Sequence, residues 1–262
     1  MSRLFGTNWK MRNVGRTDAR AYARVLRNAL PQLNGARLFV LPPVTLIRDM
    51  AEECGPGDRL VIGAQNVHWA EDGEFTGEIS TRLLRQEGAK ILMVGHAERR
   101  LQFGESDEVI NRKVRRALED GFEVVLCVGD AHAHMTEQAL KQTFEQQIGT
   151  ALSGVSSLAQ GRLVLAYEPV WAIGEGAQQT PTAPRVASSV NVMRHALELA
   201  LGKAGRQVPV LYGGSVSRQN SRDLAAHAGV DGLFVGRAAR DPEQFVALIL
   251  DALEVMPGGG RG

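Results

Sequence analysis

Short apolar runs alternate along the chain with longer segments in which apolar residues recur at helical spacing. The eight runs predict strands at residues 4–7, 37–41, 60–64, 90–94, 123–128, 163–167, 208–212 and 232–235. The intervening segments predict helices at residues 18–30, 107–119, 137–152, 184–201 and 218–227. Asp241 as an N-cap and Pro242 as the first helical residue predict a last helix that ends near Leu253.

This alternation predicts one α/β domain built on a closed parallel sheet. Strands that alternate with helices imply right-handed βαβ crossovers, and eight such units close naturally into a (βα)8 barrel. The length of 262 residues suits a single barrel, which we expect to cover residues 1–256. An open doubly wound sheet is the alternative fold. The glycine-rich residues 257–262 are expected to form a disordered tail.

Composition narrows the choice of ligand and compartment. The chain has 30 basic and 29 acidic residues, a net charge of +1, so no overall field recruits nucleic acid or an anionic membrane. A small charged substrate that is bound locally fits this balance better than a polymer does. No apolar run is long enough to span a bilayer, and Cys54 and Cys127 do not make a disulfide framework. We therefore expect a cytoplasmic protein.

Chemically useful side chains directly follow several of the predicted strands. Asn8 and Lys10 follow the first run, His96 follows the fourth, and Glu168 follows the sixth, where Pro169 stops the strand. In a (βα)8 barrel the active site is built from residues just past the carboxyl ends of the strands. These residues are therefore expected to meet at one end of the barrel.

Glycine-rich turns follow the same end of other strands. Gly213, Gly214 and Ser215 come after the seventh run, and Gly236 and Arg237 come after the eighth. Glycine in such turns lets backbone N–H groups converge on an anion, and the N-terminus of the next helix adds to the attraction. The turns thus predict a phosphate-binding cradle.

A further glycine-rich stretch, residues 174–176, comes shortly after Glu168. Gly174 gives this stretch the backbone freedom of a segment that folds over a ligand and swings away.

Each of these features has an ordinary structural interpretation when it is taken alone. A glycine after a strand is usually a turn residue, and His96 beside Glu98 could belong to a structural ion-pair cluster. His132 and His134 have the spacing of a metal pair, but no third ligand follows at suitable spacing, so we expect a solvated loop and no metal. A base, an electrophile, a cation and an anion cradle at one end of one barrel together indicate an enzyme.

At these positions the sequence closely resembles the triosephosphate isomerase family, and the resemblance covers nearly the whole chain. The matching blocks are residues 6–11, 63–67, 75–80, 94–96, 98–100, 103–105, 166–174 and 212–216. The blocks around His96 and Glu168 are the most specific. The resemblance implies the isomerisation of D-glyceraldehyde 3-phosphate to dihydroxyacetone phosphate without any metal or organic cofactor. It also implies a homodimer in which the loop at residues 67–77, with Thr76 near its tip, reaches the partner's active site.

The resemblance assigns a role to each residue of the site. Glu168 is the catalytic base, His96 is the electrophile, and Asn8 and Lys10 hold the substrate and stabilise developing charge. Glu98 belongs to the structural interpretation, in which it holds Lys10 in place. Proton transfer between adjacent carbons passes through an enediolate, which requires a base at carbon and a donor at each oxygen. A neutral imidazole is well matched in acidity to the enediol oxygen, and this family is the standard example of that match.

Three departures from the usual family pattern leave the substrate open. Ala97 replaces a common serine, Glu175 alters the segment after Gly174, and Arg237 replaces a second glycine in the last phosphate turn. Residues 67–70, 173–175 and 234–237 resemble a side branch of the family, the tetrulose-phosphate isomerases, which interconvert L-erythrulose 1-phosphate and D-erythrulose 4-phosphate in sugar alcohol catabolism. The triose reaction is placed first because every core catalytic residue is present. A non-catalytic phosphosugar-binding barrel is the third hypothesis, and an intact site argues against it.

Overall fold

The computed structural model describes residues 3–155, 161–173 and 180–256, and within them eight parallel strands form a closed barrel. Each strand pairs with the next in the chain, and the eighth pairs with the first. The strands are β1 Leu4–Asn8, β2 Arg37–Leu41, β3 Leu60–Ala64, β4 Ile91–Val94, β5 Glu123–Val128, β6 Leu163–Tyr167, β7 Val210–Tyr212 and β8 Gly232–Val235. The predicted (βα)8 barrel is confirmed and the open sheet is wrong. The predicted tail, residues 257–262, lies outside the described residues.

Helices on the outside of the barrel follow most of the strands. They are α1 Arg16–Ala29, α2 Ile47–Ala51, α3 Thr81–Gln86, α4 Ala97–Phe103, α5 Asp107–Glu119, α6 Glu137–Ala151, α7 Ala183–Leu201, α8 Arg218–His227 and α9 Pro242–Leu253. The six helices that the spacing predicts are all present. The sequence missed α2, α3 and α4 because each is too short to establish a helical period. No helix in the described ranges has the length and apolar character needed to cross a membrane.

The start of β7 differs from the prediction by two residues. The backbone N–H of Val208 donates to Gly205 O over 3.3 Å, which closes the preceding 3-10 turn, and Pro209 has no N–H to give to a neighbouring strand. The strand therefore begins at Val210 rather than at Val208.

The core has two layers, one inside the barrel and one between the barrel and its helices. Along β2, Phe39 and Leu41 belong to the inner cluster, while Leu38 and Val40 belong to the outer one. Because both faces of each strand are buried, the strands read as continuous apolar runs in the sequence. Cys127 lies in the inner cluster. Its burial is the main cause, and the nearby charge of Glu168 the second cause, that raises the pKa of its thiol well above the usual value.

Glycines allow the strands to approach closely enough to close the barrel. A Cβ atom at Gly232 would lie 1.7 Å from the carbonyl oxygen of Leu4, its register partner across the β8–β1 pair. At Gly63 the nearest atom would be the carbonyl oxygen of Ile91, at 2.0 Å. Because backbone atoms cannot give way as a flexible side chain can, both positions require glycine. The closed barrel gathers the carboxyl ends of all eight strands at one mouth.

Candidate active site

Glu168 stands directly after β6 and is held from both sides. Its backbone N–H donates to Val128 O over 2.8 Å, and a Cβ atom at Gly129 would lie only 1.8 Å from the carbonyl oxygen of Glu168. The residue is 2% exposed. Its Oε2 accepts a hydrogen bond from the backbone N–H of Ala97 over 3.0 Å, and its Oε1 lies 3.4 Å from Nε2 of His96. One carboxylate oxygen of Glu168 thus faces a backbone N–H and the other faces an imidazole.

His96 caps the N-terminus of α4 with its ring. Its Nδ1 accepts a hydrogen bond from the backbone N–H of Glu98 over 3.2 Å. Nδ1 has the acceptor role in this contact, which leaves Nε2 as the ring nitrogen available to donate, and Nε2 faces Glu168.

Lys10 has a left-handed backbone, with φ of 54°, which is uncommon for a residue other than glycine. Hydrogen bonds fix it there: its N–H donates to Oδ1 of Asn8 over 2.8 Å, and its carbonyl accepts from Nε2 of Gln65 over 3.0 Å. The ammonium group lies 2.6 Å from Oε1 of Glu98. The Asn8 amide itself lies 3.8 Å from the sulfur of Met93. The loop after β1 is thus held so that Lys10 reaches the barrel mouth.

A cavity of about 540 Å³ opens at this mouth. Its wall includes most of the residues that the sequence singled out: Asn8, Lys10, Glu98, Gly214, Ser215, Gly236 and Arg237. Glu168 and His96 are not part of the wall but are buried at the same end of the barrel. Gly213 connects the two groups, because a Cβ atom there would lie 3.3 Å from Cγ of Glu168. Two residues of the predicted site, Gly174 and Glu175, lie outside the described residues.

The polar residues near His96 divide between the site and the framework. Arg99 and Lys113 both donate to the buried carboxylate of Glu105, and Arg100 pairs with Asp107, so these residues form structural ion pairs. Burial is the main cause that lowers the pKa of Lys113. Glu98 instead faces Lys10 in the cavity.

Two other predicted features lie away from this mouth. Thr76 is exposed in the loop at residues 67–77 and does not contribute to the cavity. His132 and His134 are exposed, and no group of three or more metal-binding side chains is found among the described residues.

Asp130 is a residue that the sequence analysis missed. It follows β5, is fully buried, and accepts hydrogen bonds from Tyr167 Oη (2.8 Å), Trp171 Nε1 (3.1 Å) and a terminal nitrogen of Arg185 (3.0 Å). Burial, and secondly Asp130 itself, raises the pKa of Tyr167, which keeps the phenol protonated as a donor. Asp130 therefore ties the end of β5 to both sides of Glu168. Its position just after a strand could have marked Asp130 as a candidate site residue. A Gly-Asp pair is also typical of an ordinary turn, so the sequence alone did not single it out.

Comparisons with known proteins agree with this geometry. The family model described as triosephosphate isomerase matches residues 3–252. Triosephosphate isomerase of Idiomarina loihiensis is 39% identical, over 92% of this chain and 94% of its own length. L-erythrulose-1-phosphate isomerase of Rhizobium rhizogenes is 36% identical, over 93% of this chain and 92% of its own. The crystal structure of triosephosphate isomerase from Bartonella henselae has a TM-score of 0.84 at 27% identity and covers 97% of this chain and 100% of its own.

Replacing Asp130 by Asn is expected to lower the free energy of unfolding by about 2 to 3 kcal/mol, because it leaves the guanidinium of Arg185 without its buried anion. Urea denaturation followed by circular dichroism measures the change. Asp251→Asn is the matched control, since Asp251 pairs with the exposed Arg218 at the surface and should cost less than about 1 kcal/mol. Equal losses in the two variants would contradict the structural role of Asp130.

Proposed function

The chain belongs to the triosephosphate isomerase family, and on that premise we propose that it interconverts D-glyceraldehyde 3-phosphate and dihydroxyacetone phosphate. It is thus an isomerase, an enzyme that oxidises one carbon of its substrate and reduces the next. The observation that carries the proposal is the buried Glu168 carboxylate, 3.4 Å from Nε2 of His96 and at the same barrel mouth as Lys10. A base, a neutral donor and a cation are the groups that an enediolate intermediate requires.

The proposed reaction is a proton transfer in two halves. Glu168 leaves its hydrogen bond with Ala97 and removes a proton from the carbon beside the substrate carbonyl. The electron pair moves onto the carbonyl oxygen, where Nε2–H of His96 donates a hydrogen bond, and the ammonium of Lys10 and the amide of Asn8 stabilise the negative charge. The proton of the adjacent hydroxyl then moves to the first oxygen by way of Nε2 of His96, so the second oxygen carries the negative charge. The protonated Glu168 returns its proton to the carbon that bore the original carbonyl, and the second oxygen becomes the new carbonyl oxygen. Charge and atoms balance without any added group.

The phosphate of the substrate is assigned to the turns after β7 and β8. Gly214, Ser215, Gly236 and Arg237 line one part of the cavity and carry backbone N–H groups that can converge on an anion. Gly213 lies behind them as the residue that shapes the turn, because its own N–H donates to Tyr167 O over 2.8 Å. A Cβ atom at Gly214 would lie 2.2 Å from the hydroxyl of Tyr212, so this turn depends on glycine. A contribution of Gly174 to phosphate binding stays a prediction.

Replacing Glu168 by Gln is expected to lower turnover of D-glyceraldehyde 3-phosphate by about two to four orders of magnitude, because the amide cannot accept the proton. The dissociation constant for propyl phosphate should change little, since the phosphate turns remain. Steady-state kinetics and calorimetry measure the two quantities. Glu119→Gln, exposed at the C-terminal end of α5, removes a carboxylate at the end of the barrel opposite the mouth and should leave both quantities unchanged. Near wild-type turnover in Glu168→Gln would exclude the role of this residue as the base.

A tetrulose phosphate is the second candidate substrate, and two observations favour considering it. One relative of similar identity is named L-erythrulose-1-phosphate isomerase, and Arg237 lines the cavity where the family usually has a second phosphate-binding glycine. A longer substrate would use the same proton transfer and would place the reaction in sugar alcohol catabolism, such as that of erythritol. The triose reaction would place it in glycolysis and gluconeogenesis.

Catalytic efficiencies with the two substrates distinguish these alternatives. We expect kcat/KM to be higher for D-glyceraldehyde 3-phosphate than for L-erythrulose 1-phosphate. Combining Arg237→Gly with Glu175→Thr should shift the ratio further toward the triose phosphate, by about 1 to 3 kcal/mol of differential binding. A wild-type preference for the tetrulose phosphate would replace the proposed substrate. A ratio that the double substitution leaves unchanged would show that neither residue selects the substrate.

We also propose that the enzyme works as a homodimer. Large apolar side chains are exposed around a second cavity of about 350 Å³, including Phe103 at 64% and Val44 at 39%, and exposed apolar patches mark interaction surfaces. Gln65 lines this cavity and also donates to the carbonyl of Lys10. A loop of a second copy, with Thr76 at its tip, would fill the cavity next to the residue that holds the catalytic lysine.

Replacing Thr76 by Arg is expected to shift the protein from dimer to monomer and to lower turnover, because a charged side chain would enter a cavity with an apolar rim. Sedimentation velocity measures the assembly against the chain mass of 28.4 kDa. Gln142→Arg, exposed on α6, adds the same charge elsewhere and should remain dimeric. A monomeric wild-type protein with full activity would exclude the dimer.

The proposed cellular setting is a reducing cytoplasm. Both cysteines are free thiols. Burial, the largest cause, raises the pKa of Cys54 to about 11, and Cys127 is fully buried, so neither thiol is predisposed to react.

A further inference from the structure

Most arginines in the described part of the chain donate to a carboxylate or a carbonyl oxygen or pack on an aromatic ring. Four have no such contact there: Arg12, Arg82, Arg237 and Arg240. Three of these four line the active-site cavity. Unpaired guanidinium groups are therefore concentrated at the one place where the protein handles an anion.

The topology of the barrel brings these three arginines to one side of the mouth. Arg12 lies in the loop after β1, and Arg237 and Arg240 lie after β8, which pairs with β1. Tight turns fix both backbones: the N–H of Arg12 donates to Lys10 O over 3.0 Å, and that of Arg240 to Arg237 O over 3.2 Å. The side chains themselves are exposed and can adjust to a ligand.

The charge on the cavity wall exceeds what one phosphate needs. Among the described residues of the wall the cations are Lys10, Arg12, Arg237 and Arg240, and the one carboxylate, Glu98, already pairs with Lys10. This described part of the wall therefore carries about three uncompensated positive charges, whereas the formal net charge of the whole chain is +1. A phosphate monoester brings about 1.5 to 2 negative charges at neutral pH. Positive charge remains after a triose phosphate binds.

We propose that Arg12, Arg237 and Arg240 form a second anion subsite beside the phosphate turns. The cavity would then take a small phosphorylated molecule whose second anionic group, either phosphate or carboxylate, lies on these arginines rather than beside Lys10. The guanidinium fork binds either group through paired N–H donors. The cavity volume of about 540 Å³ lies within the range of small-molecule sites. The inference rests on the proposed function only in placing the first phosphate at the glycine turns.

Three probes with a common three-carbon unit test the subsite. Calorimetry at an ionic strength of about 0.15 M compares propyl phosphate, 3-(phosphonooxy)propanoate and propane-1,3-diyl bisphosphate. We expect at least one doubly anionic probe to bind about tenfold or more tightly than propyl phosphate. The order of the two doubly anionic probes identifies whether the subsite prefers carboxylate or phosphate. Equal affinity for all three probes would overturn the proposal.

Single substitutions then locate the effect. Arg12→Gln and Arg240→Gln should each lower the ratio of the affinity for the doubly anionic probe to the affinity for propyl phosphate, toward a ratio of one. Arg82→Gln is the matched control, because Arg82 is the fourth unpaired arginine and lies on α3, outside the cavity wall. An equal loss of preference in Arg82→Gln would show that only the overall charge matters, and would overturn the subsite.

Isomerase assays on the same preparations separate this inference from the proposed function. Normal turnover of D-glyceraldehyde 3-phosphate with no preference for the doubly anionic probes would refute the subsite alone. A clear preference in wild type that is lost in Arg12→Gln, in a protein with no isomerase activity, would support the subsite and refute the proposed reaction.

Discussion

The pairing of β8 with β1 is the constraint on which the rest of the structure depends. It closes the sheet, and it requires the bare backbone of Gly232 against the carbonyl of Leu4. Closure makes neighbours of two loops that are more than two hundred residues apart in the chain. Lys10 after β1 and the turn at Gly236 after β8 line one cavity only because this last pair of strands forms. No local segment could build such a site by itself.

Asp130 and Glu168, two buried carboxylates near the mouth, differ in how many hydrogen bonds they accept. Asp130 accepts hydrogen bonds from three side chains, one of which is a guanidinium, so it is fixed and serves the framework. Glu168 accepts one backbone N–H and faces the imidazole of His96 at 3.4 Å. The two carboxylates are both buried, and what distinguishes them is the number and charge of their donors.

The barrel could be predicted from the sequence because this fold produces a simple pattern. Apolar strand segments, buried on both faces, alternate with segments in which apolar residues recur at helical spacing. The sequence also placed Lys10, His96 and Glu168 at one end, since strand polarity decides that without any knowledge of distances. It failed where a signal is short or depends on tertiary contacts. The seven-residue helix α4, which begins directly after His96, shows no period of its own, and the three donors of Asp130 come from separate parts of the chain.

Gly129 shows that a site can depend on a residue that has no Cβ atom. This residue has no reactive group, and a survey of nucleophiles, acids and bases would pass over it. Yet the smallest possible side chain there would collide with the carbonyl of Glu168 at 1.8 Å and displace the base from its place beside His96. The position of the Glu168 carboxylate thus depends on the absence of a side chain at residue 129. Fewer sequences can build this arrangement than its polar residues alone suggest.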